Sequence, residues 1–499
     1  MRNESIIKRR FIAIDLGAES GRAVVGMLDN DRLSLEEIHR FPNEPVEIRG
    51  TLHWDALNLY NSILKGLGTY AQRFGKEVDG IGIDTWGVDF GLLAEDGSLL
   101  QNPVHYRDRR TEGIMGQILE KTSRLDLFQK TGMSLYSFQT LPQLVSLCEQ
   151  RSPALKAAAT LLMMPDLFAY FLTGRKQCER TSASITQLYD PHNSRWDGEL
   201  FDTFDLPLYI MPDLVAPGSS LETLSNPVTT HTGLKQATVI DVCTHDTASA
   251  VAAVPAIGND WAFISSGTWS VLGTLTDYIV TSNEALDAEL CNEISLHSSF
   301  LCRNIMGLWI LQCVRAQCER QGESYSYSDL TKLAENTTGN VSLIDPNDSA
   351  FFSPENMTAS IRYYCEETGQ PPPQGAAETV RCVLESLALS YQHTLKQIEN
   401  ILSREFRVIH IVGGGSLNKL LCQFTANATG IEVIAGPVEA TVVGNILAQA
   451  LALGYIGTPS DIRDIVRKSS SLVQYEPRDT PYWQERYGRY MTLLQKTEN

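Results

Sequence analysis

The sequence lacks a long apolar run, an excess of basic residues and any paired cysteine motif. Without an apolar run of membrane-spanning length, a bilayer protein is not expected. The N-terminal residues lead directly into a strand pattern and have no signal-peptide core, which predicts a cytoplasmic protein. The ten cysteines are scattered without a Cys-x-x-Cys pair, so zinc and thioredoxin-type chemistry are not expected. Cys365 and Cys382 flank a turn-rich stretch, and a disulfide between them is an open alternative to reduced thiols.

Positive charge is scarce relative to negative charge. The chain has 41 Lys and Arg against 59 Asp and Glu, a formal net charge of −18. This balance argues against non-specific binding to nucleic acid or to an anionic membrane. It does not exclude an anionic ligand, because a local group of backbone N–H donors can still hold phosphate. The length of 499 residues exceeds what one hydrophobic core supports, so at least two domains are expected.

A carboxylate followed by a tight turn of small residues is the most informative motif. Phe11–Leu16 is an apolar strand pattern with Asp15 near its end, and Gly17–Arg22 turns the chain into a second strand. Such a turn can hold phosphate, and the adjacent carboxylate can hold Mg²⁺. A turn aspartate that bonds its own backbone is the alternative. A similar strand–turn–strand pattern at 263–273 favours the phosphate interpretation and predicts a duplicated nucleotide-binding fold with ATP between the halves.

Two further motifs follow strand patterns in the second half of the chain. Gly413-Gly414-Gly415 comes after an apolar strand, and three glycines exceed the need of one turn, which favours contact with adenosine. Asp246 lies where a strand gives way to a helix of small residues, a position from which a carboxylate can take a proton from a substrate hydroxyl. Helix capping by Asp246 or Thr247 is an equally good reading of that stretch.

The remaining candidates are weaker. The segment 84–89 places two acids and Trp86 around Gly87, which suits a sugar, although a strand-linking turn with a core tryptophan is the commoner case. The segment 304–312 is predicted to begin a helix, with Asn304 and Gln312 about two turns apart on one face. Two amides on such a face suit hydrogen bonding into a cleft, or ordinary helix polarity.

These motifs together resemble the FGGY family of carbohydrate kinases over nearly the whole chain. The resemblance rests on the two phosphate-loop patterns, on Tyr106–Arg110, on the segments near 165–174 and 181–200, and on the glycine run at 413. It implies two α/β domains of the actin, Hsp70 and sugar-kinase type (ribonuclease H-like), with an ATP-binding cleft between them. Two departures are Ala18, where many members carry threonine, and the absence of a lysine around 139–143; both argue against glycerol and xylulose kinases.

The resemblance also implies roles for individual residues. Asp246 is implied as the base for the sugar hydroxyl, and Asp15 as the residue that positions Mg²⁺ directly or through water. The residues implied to border the sugar are Gly87, His245, Asp246, Thr247 and Asn304. The residues implied to hold ATP are Ala18, Glu19, Ser20, Gly21, Arg22, Thr268, Gln312 and Gly414.

Several matching segments imply a particular reaction, the phosphorylation of L-rhamnulose at O1 by ATP·Mg²⁺. A related ketose such as L-fuculose is the alternative substrate, and an actin-like ATPase without sugar chemistry is the rival class. The expected domains are 1–248, with the sugar site and the first phosphate loop, and 249–499, which binds nucleotide. The expected partners are the sugar and ATP alone, with no nucleic acid or membrane, in a monomer or small homo-oligomer.

Overall fold

A computed structural model describes residues 8–337, 339 and 341–497 of the chain. It divides into two compact units, and neither is one continuous stretch of sequence. The first unit runs through Pro255 and also includes Leu275–Leu301 and Ala440–Ser469. The second unit contains Ala256–Thr274, Cys302–Glu439 and the residues from Ser470 onward. The expected domain boundary near residue 248 stays a prediction.

The strands of both units are short to medium in length. In chain order they are β1 (Arg9–Leu16), β2 (Ser20–Asp29), β3 (Arg32–Pro42), β4 (Val46–Ile48), β5 (Thr51–His53), β6 (Gly80–Thr85), β7 (Phe90–Leu93), β8 (Thr160–Met163), β9 (Cys178–Glu179), β10 (Tyr189–Asp190), β11 (Arg195–Trp196), β12 (Leu214–Val215), β13 (Ser219–Thr223), β14 (Thr238–Asp241), β15 (Trp261–Ser266), β16 (Trp269–Thr276), β17 (Cys291–Ile294), β18 (Ser299–Met306), β19 (Val408–Val412), β20 (Glu432–Ala435) and β21 (Val473–Tyr475).

Helices alternate with these strands through much of the chain. In chain order they are α1 (Ala56–Phe74), α2 (Ile114–Lys121), α3 (Arg124–Thr131), α4 (Thr140–Glu149), α5 (Pro153–Ala157), α6 (Met164–Thr173), α7 (Arg180–Ser184), α8 (Gly198–Thr203), α9 (Asn226–Thr232), α10 (Asp246–Ala252), α11 (Asn283–Asp287), α12 (Trp309–Arg320), α13 (Tyr327–Glu335), α14 (Met357–Glu367), α15 (Gly375–Leu402), α16 (Lys419–Thr429), α17 (Ala440–Ala452), α18 (Pro459–Ser469) and α19 (Thr480–Thr497).

The main sheet of the first unit has six strands in the order β13-β14-β6-β1-β2-β3. β1 is central: it runs parallel to β6 and antiparallel to β2. Its residues Phe11–Leu16 are all buried because α1 covers neighbouring strands β2 and β3, while α17 packs on β1 and β6. Strands covered on both faces read as continuous apolar runs rather than alternating ones, which is why this segment was visible in the sequence.

Close packing between α10 and α17 fixes the chain just beyond Asp246. A Cβ placed on Gly444 of α17 would lie 1.8 Å from the backbone oxygen of Ser249 in α10. The glycine therefore allows two helix backbones to approach each other in a way that no other residue permits. This contact joins the segment 440–469 to the first unit, although it comes late in the chain.

The second unit is also a sheet with helices. Its strands lie in the order β18-β16-β15-β19-β20-β21, with β15 parallel to β19 and β19 parallel to β20. The long helix α15 packs against α13 and α16. Its apolar face is buried through most of its length.

The sequence-based prediction of a helix beginning at Asn304 is wrong. Asn304 lies on strand β18, and helix α12 begins only at Trp309. The intervening Gly307 marks the change, because a Cβ there would lie 2.6 Å from the side chain of Ser270. Helix α1 begins directly after Asp55, whose side chain accepts from the backbone N–H of Asn58. Within the described residues, no helix is both long and apolar enough to cross a membrane.

Candidate active site

Carboxylates from two neighbouring strands lie side by side at one end of the first unit's sheet. Asp15 on β1 is the register partner of Asp84 on the parallel strand β6. Asp15 also lies opposite Arg22 across the β1–β2 hairpin, and the guanidinium donates to its Oδ2 at 2.7 and 2.9 Å. Arg22 therefore forms an ion pair with Asp15, while Asp84 is held by other contacts.

Asp84 is fully buried and is held by a helix from the late segment of the chain. The side-chain amide of Asn445 donates to its Oδ2 at 2.5 Å. Burial and the nearby Asp15 carboxylate raise the pKa of Asp84 well above its usual value, although the amide of Asn445 opposes this. Burial and the neighbouring carboxylate thus favour the neutral form of Asp84.

Asp246 is the first residue of α10 and is only partly covered. The backbone N–H of Thr247 donates to its Oδ1 at 2.6 Å, and 34% of its side-chain surface is exposed. The surrounding protein still displaces enough water to raise its pKa; the charge of His245 opposes that shift, and Asp15 adds to it. A general base must reach the substrate and have a pKa that lets it take up a proton. The exposed fraction and the raised pKa of Asp246 fit these two requirements. The N-cap residue of α10 is His245, whose side chain makes no capping hydrogen bond, whereas Asp246 itself binds a backbone N–H of the first turn.

A buried glutamate supports the backbone just before Asp246. Glu179 accepts hydrogen bonds from the backbone N–H groups of Thr181 and Thr244 at 2.8 and 3.0 Å. The hydroxyl of Thr181 in turn accepts from the backbone N–H of His245 at 3.1 Å. These hydrogen bonds hold the backbone of residues 244 and 245, just before Asp246. Glu179 was not predicted from the sequence.

Gly87 lies against His245 in a tight turn after β6. A Cβ on Gly87 would meet Cδ1 of Ile185 at 2.1 Å and the His245 ring at 3.3 Å. The following residue, Val88, has a φ of +68°, which is rare for a β-branched residue. Its carbonyl accepts from the hydroxyl of Thr140 at 2.8 Å. Unusual backbone held by neighbouring contacts is typical of functional sites.

The second acid of this turn faces the core instead of the site. Asp89 is fully buried, and its carboxylate accepts from the indoles of Trp54 and Trp86 at 2.6 and 3.1 Å. Burial raises its pKa to about 6, opposed by these indole N–H groups. Trp86 is only 6% exposed and packs on Trp54 with ring centroids 4.1 Å apart. The reading of Trp86 as a core residue is therefore the correct one.

The segment predicted to be the first phosphate loop is a tight turn between β1 and β2. The backbone N–H of Gly17 donates to the carbonyl of Ser20 at 3.0 Å, and Asn43 donates to the Gly17 carbonyl at 2.8 Å. Ala18 is half-buried and Glu19 is exposed at its tip. Gly21 is buried against the ring of Phe41, and a Cβ on Gly21 would lie only 2.3 Å from that ring. Packing alone thus accounts for this glycine.

The matching loop of the second unit supports the start of a helix. The carbonyl of Thr268 accepts from the backbone N–H groups of Gly307 and Trp309 at 3.2 and 3.1 Å. Gln312, on α12, is half-buried, and its Oε1 has no hydrogen-bond partner among the described residues. Asn304 is half-buried on β18. The loop, the helix start and the strand end therefore lie together.

Each glycine of the 413–415 run has a different environment. Gly413 has a φ of +82°, and a Cβ on Gly415 would lie 2.0 Å from the hydroxyl of Ser266. Gly414 is exposed, and a Cβ there would meet nothing within 4 Å. Backbone conformation and packing explain the first and third glycines. The middle one is left free to contact a flat ligand.

The site residues predicted from the sequence thus fall in two groups. Asp15, Gly87, His245, Asp246 and Thr247 lie in the first unit with the phosphate-loop residues 18–22. Thr268, Asn304, Gln312 and Gly414 lie in the second. The polar residues that support the first group, Glu179, Glu293 and Asn445, were missed because their partners are distant in sequence.

The described residues bear on two expectations from the sequence, the metal site and the Cys365–Cys382 disulfide. Among these residues no three His, Cys, Asp or Glu side chains group closely enough to hold a metal by themselves. Mg²⁺ usually takes one or two protein carboxylates and completes its shell with phosphate and water. Asp15 Oδ2 already accepts from Arg22, and the role of Asp15 toward Mg²⁺ stays a prediction. Cys365 and Cys382 are free thiols, both buried.

Comparisons with known proteins cover both halves of the chain. The N-terminal domain model of the FGGY family of carbohydrate kinases matches residues 10–253, and its C-terminal domain model matches residues 262–453. A rhamnulokinase of Bacteroides thetaiotaomicron is 41% identical over 98% of this chain and all of its own length. A rhamnulokinase of Enterococcus faecalis is 38% identical over 98% of this chain and 99% of its own.

Solved structures with low sequence identity share the fold. Gluconate kinase from Lactobacillus acidophilus superposes with a TM-score of 0.82 at 15% identity, covering 98% of both chains. Plasmodium falciparum glycerol kinase with ADP gives a TM-score of 0.77 at 16% identity, over 98% of this chain and 97% of that one. The two-domain α/β architecture predicted from the motifs is thereby confirmed, and the chain belongs to the FGGY family of carbohydrate kinases.

Proposed function

We propose that the protein transfers the γ-phosphoryl group of ATP to O1 of L-rhamnulose, giving L-rhamnulose 1-phosphate and ADP in L-rhamnose catabolism. The relatives named rhamnulokinase align with essentially the entire chain. The alignment therefore includes the segments that we propose to bind the sugar. The observation that carries the chemistry is the partly exposed Asp246 carboxylate at the start of α10.

Asp246 is the proposed general base. One oxygen, Oδ1, accepts from the backbone of Thr247, which leaves Oδ2 for the sugar hydroxyl. In the reaction O1 forms a bond to the γ-phosphorus while the bond from that phosphorus to the bridging oxygen of ADP breaks. Asp246 takes the O1 proton, and ADP leaves with the bond electrons. Positioning and charge neutralisation supply most of the rate in such transfers.

ATP is the proposed phosphoryl donor, held by residues 18–22 of the first loop and by Thr268, Gln312 and Gly414. Arg22 already pairs with Asp15 and supplies positive charge beside the loop. Mg²⁺, when bound with ATP, would neutralise phosphate charge, with Asp15 as its protein carboxylate. The sugar would be bordered by Gly87, His245, Thr247 and Asn304. A cytoplasmic location and a monomeric or small oligomeric state complete the proposal.

A panel of acceptors tests this function directly. ATP turnover is measured with L-rhamnulose, L-fuculose, D-xylulose and glycerol, and the phosphorylated position is determined by NMR. We expect L-rhamnulose to give the highest kcat/KM, with phosphate on O1. If L-fuculose gives the highest kcat/KM, the assignment of L-rhamnulose is wrong and L-fuculose replaces it as the substrate. ATP hydrolysis without stimulation by any sugar would favour the actin-like ATPase class instead.

The matched control is Asp246→Asn, which is isosteric and removes the basic oxygen. Loss of a positioned general base typically costs about 10²–10⁴ in rate. We expect kcat to fall in that range while ATP affinity, measured by calorimetry, changes little. Near-normal turnover in this variant would refute the assignment of Asp246.

A further inference from the structure

His245 lies between two carboxylates, one on each side of its ring. Its Nε2 is 3.3 Å from Oδ1 of Asp246, the next residue in the chain. Its Nδ1 is 3.1 Å from Oε2 of Glu293 on β17. The ring is 12% exposed, and the Glu293 side chain only 2%. The three groups form a row in which only Asp246 has substantial access to solvent.

The charge state of the ring follows from these contacts. An ionised carboxylate has only acceptor oxygens, whereas a neutral imidazole has one N–H and one lone pair. A neutral ring would therefore turn a lone pair toward one of the two anions. The 3.1 Å contact between Nδ1 and Oε2 of Glu293 is an ion pair when the ring is protonated. Doubly protonated imidazolium is the form that both neighbours stabilise.

Other charged groups around this row act in the same direction. Burial by itself lowers the pKa of His245, but Glu293, Asp246 and Glu179 outweigh it, and the pKa is raised. The charge of Asp15 also raises the pKa of Asp246, and the charge of Asp246 in turn raises the pKa of Asp84. The positive ring of His245 opposes the rise in the pKa of Asp246 and so favours its ionised form.

We propose that Glu293 is a positioning residue that holds His245 as an imidazolium and thereby keeps the Asp246 carboxylate ionised and oriented toward the sugar hydroxyl. The inference rests on the proposed function, in which Asp246 is the base. It follows that His245 cannot itself accept the O1 proton, because both of its nitrogens are already protonated. The proton stays on Asp246 until the products leave.

β17 is anchored well enough to support this role. On the adjacent residue, the amide of Asn292 donates to the carbonyls of Gly132 and Val280, both at 2.9 Å, and its Oδ1 accepts from the backbone of Val280 at 2.7 Å. The backbone N–H of Ile294 donates to the hydroxyl of Ser184 at 3.2 Å. Glu293 is thus delivered to His245 by a strand that other contacts fix in place.

Nitrogen-15 NMR of histidine-labelled full-length protein, without substrates, tests the charge state. The chain has nine histidines, and the spectrum of His245→Asn identifies the signal of His245 by difference. We expect a doubly protonated ring at pH 7.5 in the unaltered protein. In Glu293→Gln we expect a neutral ring, since the new amide can donate to Nδ1 and the remaining proton moves to Nε2. A neutral His245 in the unaltered protein would overturn the proposal.

Kinetics test the consequence for catalysis. We expect Glu293→Gln to lower kcat about 10- to 100-fold, as misplacement of a reacting group does, with the KM for ATP unchanged within about 2-fold. Glu293→Asp, which keeps the charge, should recover part of the loss. Glu284→Gln, which removes an exposed carboxylate from α11 of the same unit, is the charge-matched control and should leave kcat unchanged. Unchanged kcat in Glu293→Gln, or an equal loss in both variants, would contradict a positioning role.

Failure of the proposed function would look different. If no sugar, or another sugar, is phosphorylated by the unaltered protein, the substrate assignment fails. The NMR result for His245 would be unaffected, because it needs neither sugar nor ATP.

Discussion

The side-chain amide of Asn445 donates to Oδ2 of Asp84 at 2.5 Å, although 361 residues separate the two in sequence. Asp84 is fully buried on the strand next to Asp15, and its other oxygen, Oδ1, has no hydrogen-bond partner among the described residues. One amide from α17 thus provides the described hydrogen bond to an acid placed beneath the candidate site.

Asn445→Ala should therefore destabilise the protein. The variant leaves a buried polar group without its donor, which costs about 1–3 kcal/mol. The midpoint of the urea unfolding transition at pH 7 measures the loss. Asn445→Asp is a second test, because its added carboxyl must either be buried as an anion or take up a proton beside Asp84, which the fold keeps neutral. Its loss should exceed that of the alanine variant at pH 7 and shrink at pH 4, and equal stability of all three proteins would contradict this account.

Asp89 should make stability depend on pH. Burial raises its pKa from 3.8 to about 6, so the folded state keeps the proton longer than the unfolded chain. The stability that the protonated acid provides is present below pH 3.8 and is lost as pH rises to about 6. A shift of about two units corresponds to about 3 kcal/mol.

Comparison with Asp89→Asn isolates this effect. The amide of Gln143 donates to Asp89 at 3.1 Å, and asparagine at position 89 weakens this contact. Because asparagine does not ionise, the resulting loss of stability is the same at every pH. The unaltered protein should lose stability relative to the variant between pH 4 and pH 7, by up to about 3 kcal/mol. Urea unfolding at several pH values gives both curves. Parallel curves would mean that Asp89 titrates normally in the folded state.

Local sequence patterns revealed the elements of this protein but not the contacts between distant segments. The apolar run of β1 and the helical periodicity of α15 lie within single stretches, as do the strand-end position of Asp15 and the helix-start position of Asp246. Each of these depends on residues close in sequence, so each was predictable.

The support of the site depends on long-range packing, which the sequence does not display. Glu293 reaches His245 from a strand 48 residues later, and Asn445 reaches Asp84 across most of the chain. The error at Asn304 has a related cause. Short apolar segments fit strand or helix equally well, and for this one the strand form prevails because it joins a sheet.

Gly414 gives a test of nucleotide binding in the second unit. A side chain there meets no protein atom within 4 Å, so Gly414→Val should fold normally. If adenosine packs on this residue, ATP affinity should fall about 10-fold or more, because a bulky group enters the space of the ligand. Sugar affinity should not change. Calorimetry with each ligand separately measures both.

Gly488→Val is the matched control for this variant. Gly488 lies on α19 in the same unit, and a Cβ there also meets nothing within 4 Å. It should leave both affinities unchanged. ATP affinity equal in the two variants would mean that Gly414 serves only the turn.

Gly87 offers a test that separates sugar contact from packing. In Gly87→Ala the new Cβ would lie 2.1 Å from Cδ1 of Ile185, a clash that must displace the turn beside His245. The variant alone should raise the KM for L-rhamnulose, but either cause would explain that result. Ile185→Val removes the clashing methyl group and by itself costs only about 0.5–1.5 kcal/mol of stability.

The double variant Gly87→Ala with Ile185→Val distinguishes the two causes. With the clash relieved, the methyl group introduced by Gly87→Ala still occupies the surface that the sugar is proposed to contact. We therefore expect stability to return toward that of Ile185→Val, because mutations of touching residues are non-additive. The KM for the sugar should stay raised, by about 5-fold or more. Melting temperature and steady-state kinetics on the four proteins complete the cycle. Recovery of both stability and KM would show that Gly87 is required for packing against Ile185 and that the sugar binds elsewhere.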